Sequence, residues 1–320
     1  MNILTTGGSG FAGKYLLKAI VQNGYNVVNL IHTHSSEIEG VKDIKITEYE
    51  VDFFRKVTKG VDVIIHLAAV LGGSKESNEY FYKVNTEFPE KLIVSAINSN
   101  VKKFIYISSA GVYGRGSKHS IDESFLPQPV DRYEKAKLLG EEAVLKYKDK
   151  INVVVLRPGW IYGPGDKRTL KLYKAINTGK FFIAGKGDEK QSPIFVKDFV
   201  DAIQLVIEKD IKSGEIFNIA GDEQITIERM AEIIADILGK KILPFKVPLT
   251  PLIFISHILD FIDNLTGISF PITRSSLAFF ERSKPLSIDK ARNLLDFLPK
   301  TEFRDGIRET ISWYKDKGLL

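Results

Sequence analysis

Cysteine is absent from the 320-residue sequence, so disulfides, thiolate nucleophiles and cysteine-ligated metal sites are excluded. Long apolar runs are absent as well. The most apolar segment extends from Pro248 to Ile262, and Pro251, His257 and Asp260 interrupt it. Its fifteen residues fall short of the ~20 that cross a bilayer. We therefore expect no stable membrane insertion and interpret the segment as a buried or lid helix, with contact to a membrane surface as the lesser alternative.

Charge of either sign is in small excess only, since 45 basic and 40 acidic residues give a formal net charge of +5. The lysines are scattered along the chain, which is typical of a solvated surface and does not indicate nucleic-acid binding. A small anionic ligand is compatible with this charge. Residues 1–5 lead directly into a glycine turn, without the basic and apolar regions of a secretory signal, so we expect a cytoplasmic protein.

Short apolar segments alternate with longer amphipathic ones in the first half of the chain. The apolar segments are rich in Val and Ile and predict buried strands at 2–6, 26–31, 61–68, 103–108 and 152–157. The amphipathic segments predict helices at 13–23, 78–98 and 131–147, and later ones at 226–238, 303–315 and near 253–262. This alternation predicts an α/β fold, a doubly wound parallel sheet of the Rossmann type.

A glycine-rich turn joins the first strand to the first helix. Gly7, Gly10 and Gly13 are spaced three residues apart, with Phe11 and Ala12 between the last two. Glycines at this point allow a tight turn and let backbone N–H groups approach a pyrophosphate at the helix N-terminus. The turn therefore predicts dinucleotide binding.

The chain is longer than the ~250–300 residues at which one core stops growing, so a second region is expected. We expect residues 1–165 to form the NAD(P)-binding Rossmann domain, with strand and helix contributions near 195–220. Residues 166–320 are then mostly a smaller, mixed substrate-binding region.

The end of the second strand bears on the choice between the two nicotinamide cofactors. A ribose-binding acid is usual about 20 residues after the glycine turn, but residues 30–35 contain no carboxylate. No arginine stands there to attract a 2′-phosphate either, although His32 contributes when it is protonated. The sequence thus predicts NAD or NADP, with NADP slightly preferred.

Further motifs occur in order along nearly the whole chain: Val51-Asp52, His66-Leu67-Ala68-Ala69, Val84-Asn85, the serine-rich 108–114, Tyr133-Glu134-Lys135-Ala136-Lys137, Leu156-Arg157-Pro158, Tyr162-Gly163-Pro164-Gly165-Asp166 and, near the C-terminus, Trp313-Tyr314. With the glycine turn, this set resembles the extended short-chain dehydrogenase/reductase family, which includes the NAD-dependent epimerases and dehydratases. The resemblance implies that Asp52 meets the adenine amine, and that Leu67, Ala68, Ala69 and Pro158 line the cofactor. No metal is implied.

Hydride exchange with a secondary alcohol requires a group that exchanges the hydroxyl proton. A tyrosine with a pKa of ~10 is a poor base at neutral pH, and a nearby ammonium favours its phenolate. Tyr133 and Lys137 are four residues apart on one predicted helix and share a face. Ser109, at a predicted strand end, would bond the substrate oxygen. Because all three are present, we predict a Ser–Tyr–Lys enzyme rather than a non-catalytic sensor that binds NAD(P).

The family resemblance makes several residues informative about which reaction the enzyme catalyses. Dehydratases of the family carry Asp-Glu after the catalytic Ser or Thr, where this chain has Ala110-Gly111, so dehydration is disfavoured. Nucleotide-sugar epimerases usually have an asparagine at the position of Trp160 and an arginine before the pattern at 195–198, where this chain has 191–194 without arginine. The cationic residues available to bind a diphosphate in place of these missing contacts are Arg168, Lys186 and Arg282.

The C-terminal region resembles the hydroxysteroid-dehydrogenase and flavonol-reductase side of the family, through the apolar segment to Ile262, residues 271–274 and residues 287–291. An apolar lid suits a less polar substrate. We therefore prefer a dehydrogenase or reductase acting on a secondary alcohol or ketone, with a UDP-hexose type 4-epimerase as the alternative. The sequence leaves the oligomeric state open, and the family resemblance implies a homodimer that pairs the helices at 78–98 and 131–147.

Overall fold

The fold was analysed in a computed structural model that describes residues 1–72, 74, 76–266 and 274–320. The first half of the chain contains, in order, β1 (Asn2–Thr6), α1 (Phe11–Gln22), β2 (Asn26–Ile31), β3 (Val41–Lys45), α2 (Val51–Thr58), β4 (Val63–His66), α3 (Asn78–Tyr82), α4 (Phe88–Asn98), β5 (Lys103–Ile107), α5 (Arg132–Leu145), β6 (Asn152–Pro158) and β7 (Trp160–Tyr162). The second half contains α6 (Leu170–Asn177), β8 (Ile183–Ala184), β9 (Lys190–Gln191), β10 (Pro193–Phe195), α7 (Val196–Glu208), β11 (Glu215–Ile219), β12 (Ile225–Thr226), α8 (Ile227–Leu238), β13 (Lys246–Val247), α9 (Leu249–Thr266), α10 (Arg274–Glu281), α11 (Asp289–Leu295) and α12 (Phe303–Asp316).

Seven strands form one parallel sheet in the order β11-β6-β5-β4-β1-β2-β3. The strand order reverses between β1 and β4, because the chain first moves outward to β3 and then returns. Ligands of open α/β sheets bind at the carboxyl ends of the strands at such a reversal. The predicted Rossmann-type fold is confirmed, and the ends of β1 and β4 mark where to look for a site.

Helices cover both faces of the sheet with apolar side chains. On one face, Leu16 and Leu17 of α1 and Phe199 of α7 pack against the sheet in one buried cluster. On the other face, Phe54 of α2 and Leu92 of α4 belong to a second cluster. Since both faces are buried, the central strands read as continuous apolar runs, which is why the sequence pattern identified them.

The two strands that the sequence pattern did not predict lie at the two edges of the sheet. The β3 strand, with the sequence VKDIK, has no buried residue and so lacks the apolar run of a central strand. The β11 strand lies in the interval 195–220, where a contribution was expected, and follows α7.

The segment 78–98, predicted to be one helix, forms three consecutive helical segments. A π-helical turn, Lys83–Glu87, separates α3 from α4. The turn buries the Asn85 side chain, whose amide accepts a hydrogen bond from the Val70 N–H and donates one to the Val70 carbonyl. Such single π turns occur often at functional sites.

The apolar segment after Pro248 forms α9, which is longer than predicted and largely exposed. Leu252 is buried, but Phe254, Ile255, Ile258 and Phe261 are between 43% and 70% exposed. The prediction that this helix is buried is therefore wrong for most of its apolar side chains. Among the described residues, no helix combines the length and apolarity that crossing a membrane requires. Residues 271–273, which contributed to the predicted resemblance, lie outside the described residues.

Candidate active site

The glycine turn at the end of β1 leaves little room for side chains at two of its three glycines. Gly7 has a φ of +75°, and a Cβ atom there would lie 2.6 Å from the backbone nitrogen of Ala68. A Cβ atom on Gly13 would lie 2.2 Å from the Gly7 carbonyl oxygen. Gly10 differs, because a Cβ atom there would have only the Gly7 carbonyl oxygen within 4 Å, at 3.2 Å. Gly7 and Gly13 thus shape the turn, whereas Gly10 faces open space.

The open space beside Gly10 lies at the N-terminus of α1, which begins at Phe11 and continues through Ala12. Gly10 caps the helix without a side chain, and the first turn carries no acidic residue. The first N–H groups of a helix lack intrahelical acceptors and attract anions. This geometry fits the pyrophosphate of a dinucleotide.

The segment after β4 closes the other side of the turn. The Ala68 N–H donates to the Thr6 hydroxyl at 3.1 Å, and the Leu67 N–H donates to the Thr6 carbonyl at 3.1 Å. Thr6 also bonds the buried His66 imidazole at 2.9 Å. Leu67, Ala68 and Ala69 are half-buried and lie between β4 and the loop that Asn85 holds. Three of the residues expected to line the cofactor, Leu67, Ala68 and Ala69, therefore belong to the segment that adjoins the glycine turn.

At the end of β2, the structure places His32 on the surface. Its ring lies 5.9 Å from the ring of Tyr80 and 6.5 Å from that of Tyr49, between centroids. A carboxylate that the sequence reading missed stands close by, because Asp43 in β3 accepts hydrogen bonds from Ser35, Ser36 and Asn29. Burial opposes ionisation of Asp43, yet these hydrogen bonds hold its carboxyl pKa below the usual value. Asp43 is thus already occupied in ordering the loop that follows β2.

Asp52 and Arg168 lie in different positions relative to the glycine turn. Asp52 lies in the first turn of α2, is exposed, and pairs with Arg55 at 3.2 Å. Arg168 is bound to Asp166 at 2.8 Å, and its guanidinium lies 5.6 Å from the centroid of the Phe11 ring. Arg168 is half-exposed and stands over the start of α1.

Ser109 and Tyr133 meet at the carboxyl edge of the sheet. Ser109 follows β5, and its hydroxyl accepts a hydrogen bond from the Gly111 N–H at 2.9 Å. Burial raises the pKa of Tyr133 to about 12, while the charge of Arg168 and the hydrogen bond with the Ser109 hydroxyl act in the opposite direction. With these residues alone, Tyr133 is a protonated phenol at neutral pH. Additional positive charge beside it would be required for phenolate formation.

Lys137 lies one turn further along α5 and is almost completely buried. Its Nζ lies 4.2 Å from the centroid of the Tyr106 ring, a contact that favours the ammonium form. Burial lowers the pKa of Lys137 to about 7, against the supporting charge of Glu141. Tyr106 fits beneath α5 because Gly140 has no side chain: a Cβ atom there would lie 2.1 Å from the Tyr106 hydroxyl oxygen.

A cavity of about 660 Å³ opens beside Tyr133. Five cationic side chains and two carboxylates are among its lining residues: Arg115, Arg132, Arg274, Arg282, Lys284, Asp131 and Glu281. The apolar wall consists mainly of Val130, Ala278 and Phe279. α9 contributes none of these lining residues, so the expected apolar lid is not the wall of this cavity.

One buried carboxylate organises two of these cations. Glu134, the neighbour of Tyr133, accepts hydrogen bonds from Arg282 at 2.7 Å and from Lys284 at 3.1 Å. Its other oxygen accepts from the Val130 N–H at 2.9 Å. Since 150 residues separate Lys284 from Glu134, the sequence reading offered no signal for this cluster.

The part of the chain that contains these site residues matches the model of a protein family. The model of the NAD dependent epimerase/dehydratase family matches residues 3–220, which span the glycine turn, Ser109, Tyr133 and Lys137. The chain belongs to this family. Membership of the epimerase/dehydratase family confirms the predicted resemblance, and it confirms that the protein is an enzyme.

Relatives of the chain span nearly its full length. It is 26% identical over 332 residues to sterol-4-alpha-carboxylate 3-dehydrogenase, decarboxylating, of Dictyostelium discoideum, covering 96% of this chain and 99% of that protein. It is 25% identical over 280 residues to N-acetyl-alpha-D-glucosaminyl-diphospho-ditrans,octacis-undecaprenol 4-epimerase of Escherichia coli O157:H7, covering 85% and 83%. The solved UDP-glucuronic acid 4-epimerase from Bacillus cereus in complex with NAD has a TM-score of 0.79 at 24% identity, covering 99% of both chains.

Proposed function

We propose that this enzyme moves hydride between a nicotinamide dinucleotide and a secondary alcohol or ketone of an anionic substrate. Ser109, Tyr133 and Lys137 are the catalytic residues of this proposal. It is carried by one observation: Tyr133 opens into a cavity whose wall holds five cationic side chains and two carboxylates. A secondary alcohol attached to a phosphate-bearing group fits both the phenol and the charge.

Each catalytic residue has a role that follows from its surroundings. Tyr133 exchanges the proton of the substrate hydroxyl, and Ser109 donates a hydrogen bond to the same oxygen. Lys137 supplies positive charge one turn away, which lowers the free energy of the phenolate. When bound, the nicotinamide ring accepts or returns the hydride and adds positive charge in its oxidised form.

The cofactor fits the residues present. In the cradle, Gly7 and Gly13 leave no room for a side chain, and the open space beside Gly10 can take a pyrophosphate. The family description and the solved Bacillus cereus relative both name NAD. We keep the slight preference for NADP as a proposal, because residues 30–35 contain no carboxylate and Asp43 is engaged by the loop that follows β2.

The substrate class that the cavity supports best is a nucleotide sugar, acted on as an epimerase would act. A diphosphate presents two adjacent anionic groups, and Arg or Lys donors bind them with charge-assisted hydrogen bonds. Arg282 and Lys284 supply such donors in the cavity beside Tyr133, although Trp160 and Gln191 replace the expected asparagine and arginine. This inference departs from the less polar substrate that the sequence reading favoured, because α9 does not line the cavity.

A dehydrogenase acting on an apolar carboxylic acid is the second candidate. Phe279 lines the cavity, and its ring packs edge-on against Trp160, with 5.9 Å between centroids. An apolar body against this pair and a carboxylate on the cations would also place a hydroxyl near Tyr133. The sterol-carboxylate dehydrogenase of Dictyostelium discoideum acts on such a molecule by its name.

A substrate panel with cofactor monitoring distinguishes the candidates. The purified enzyme is incubated with NAD or NADP and a series of UDP- and dTDP-sugars or sterol carboxylates, while absorbance at 340 nm (the reduced nicotinamide band) and the products are followed. An epimerase converts the sugar without net reduction of cofactor, and a dehydrogenase reduces cofactor in proportion to product. Absence of conversion with every anionic substrate, together with turnover of an uncharged alcohol, would contradict the proposal.

A charge variant tests the anionic part of the proposal separately. Lys284→Met should raise KM for the active anionic substrate by about tenfold or more, since a hydrogen bond to a charged group contributes about 1.5–3 kcal/mol. Lys300→Met, on the surface, is the matched control. Equal KM values for the two variants would place the substrate anion elsewhere.

Two further expectations stay predictions within this proposal. The cytoplasmic location rests on the sequence, and the homodimer rests on the family resemblance and the helices α4 and α5.

A further inference from the structure

A buried ion pair lies directly behind the catalytic helix. Glu141 of α5 and Arg157 of β6 form a two-pronged contact, with Nη2 to Oε2 at 2.7 Å and Nε to Oε1 at 3.1 Å. The side chains are 1% and 4% exposed. Replacing such a pair by apolar residues is often neutral or stabilising, so a buried pair is weak evidence of a purely stabilising role. Its position relative to the active site therefore needs an explanation.

The pair ties together α5, which carries Tyr133 and Lys137, the end of β5 beside Ser109, and the end of β6. Glu141 follows Lys137 by four residues, so both project from the same face of α5. The Ser108 hydroxyl, next to Ser109 in the chain, donates to Glu141. Arg157 precedes Pro158 at the end of β6. One carboxylate thus joins the ends of β5 and β6 to the helix of Tyr133 and Lys137.

Arg157 extends the contact to the edge of the sheet. Its Nη1 donates to the Tyr113 hydroxyl at 3.0 Å, and that hydroxyl donates to Asn218 in β11 at 2.7 Å. Tyr113 ends the short helical turn that begins just after Ser109. Glu141, Arg157, Tyr113 and Asn218 thus form one connected network of buried hydrogen bonds.

Lys137 receives its support from Glu141. The groups that interact with Lys137 include His66 of β4, Tyr106 of β5 and Glu141 of its own helix. His66 is neutral, because burial and the nearby Lys137 hold the imidazole pKa well below its usual range. Glu141 is the carboxylate whose charge favours the lysine ammonium.

We propose that Glu141 is a positioning residue of the active site: it fixes the strand ends beside Ser109 and Pro158 against α5, and its charge favours the ammonium form of Lys137. This inference rests on the proposed function for its significance. The test can be read without any substrate, so a failure of the proposed chemistry would not be mistaken for a failure of this role.

The experiment follows the Lys137 side-chain nitrogen by ¹⁵N NMR as a function of pH in the full chain, with Lys137→Met to assign the signal. Glu141→Gln keeps the shape but removes the charge, and should lower the Lys137 pKa by about one unit or more. Glu142→Gln, on the exposed side of the same helix, is the control and should leave it unchanged. An unchanged Lys137 pKa in folded Glu141→Gln would overturn the proposal.

A double variant separates charge support from packing. Glu141→Gln leaves the Arg157 charge without its partner and should lower the thermal unfolding midpoint. Glu141→Met combined with Arg157→Met restores an apolar, well-filled interior and should recover that midpoint. The proposal requires that the Lys137 pKa of the double variant stays about one unit or more below that of the unmutated protein. Recovery of the unmutated Lys137 pKa together with stability would show that the pair is only structural.

Discussion

The ammonium nitrogen of Lys137 lies 4.2 Å from the centroid of the buried Tyr106 ring, one helical turn from Tyr133. The site therefore holds a cation where burial opposes charge, and the Lys137 pKa falls to about 7. Tyr106, Glu141 and the packed strands around them form a rigid support. The helix can then bring a poised lysine and a phenol to the same edge of the sheet as the glycine turn.

The stability of the protein should depend on pH through Lys137. Its pKa is 10.5 in the unfolded chain and about 7 in the folded one. Below pH 7 both states carry the charge and folding bears the full cost of burying it. As pH rises toward 10.5 the folded state is already neutral, and that cost disappears.

Lys137→Met should therefore stabilise the protein most below pH 7, by a few kcal/mol, and the gain should shrink toward pH 10. Urea unfolding at several pH values measures it. Lys135→Met, at an exposed position of the same helix, should show no such trend. A gain that is independent of pH would mean that folding does not lower the Lys137 pKa.

Gly10→Val should prevent dinucleotide binding while the protein still folds. Gly10 has φ −75° and ψ 176°, which a valine can adopt, and only the Gly7 carbonyl oxygen lies within 4 Å of the new Cβ atom. The branched side chain would occupy the space that the pyrophosphate needs. Titration of the cofactor by fluorescence tests binding, and circular dichroism tests folding. Unchanged affinity would make the glycine turn a purely structural feature.

Gly13→Ala provides the contrast within the same turn. An added Cβ atom would lie 2.2 Å from the Gly7 carbonyl oxygen, so the junction of β1 and α1 has to shift. We expect a loss of stability as well as of binding, measured as a lower thermal unfolding midpoint than that of Gly10→Val. The reverse order of midpoints would contradict the structure of the turn.

The central strands and the glycine turn could be predicted because their signals are local. Buried parallel strands are apolar on both faces, and the glycines at 7, 10 and 13 adjoin one of them. The edge strand β3 has no buried residue, so its sequence resembles that of a loop. The π-helical turn Lys83–Glu87 is created by tertiary contacts of Asn85 that no helical periodicity encodes.

The residues of the candidate site also divide into those that a local sequence pattern predicts and those that only the fold brings together. Tyr133 and Lys137 could be predicted because their spacing places them on one helix face. The Glu134 cluster with Arg282 and Lys284, and the pair of Glu141 with Arg157, join distant parts of the chain. Their charges resemble ordinary surface charges in a sequence, and only burial distinguishes them.

Cofactor preference should be modest and should respond to a charge at the end of β2. His32→Asp places a carboxylate where it can accept ribose hydroxyls and repel a 2′-phosphate, so preference should move toward NADH. In the unmutated protein we expect NADPH to bind at least as tightly as NADH, with a difference of about tenfold, or ~1.4 kcal/mol. Parallel fluorescence titrations with NADH and NADPH measure both. A strong preference of the unmutated protein for NADH would contradict the reading of this site.

The proton-transfer role of Tyr133 is tested most directly by comparing turnover in Tyr133→Phe and in Tyr147→Phe, a control just beyond the end of the same helix. Turnover is measured with the anionic substrate that the panel identifies, and cofactor affinity is measured alongside it. Tyr133→Phe should lower turnover about 10²–10⁴-fold with nearly unchanged dinucleotide affinity, because only the proton-transfer group is removed. Turnover within a few-fold of the unmutated enzyme would contradict the account.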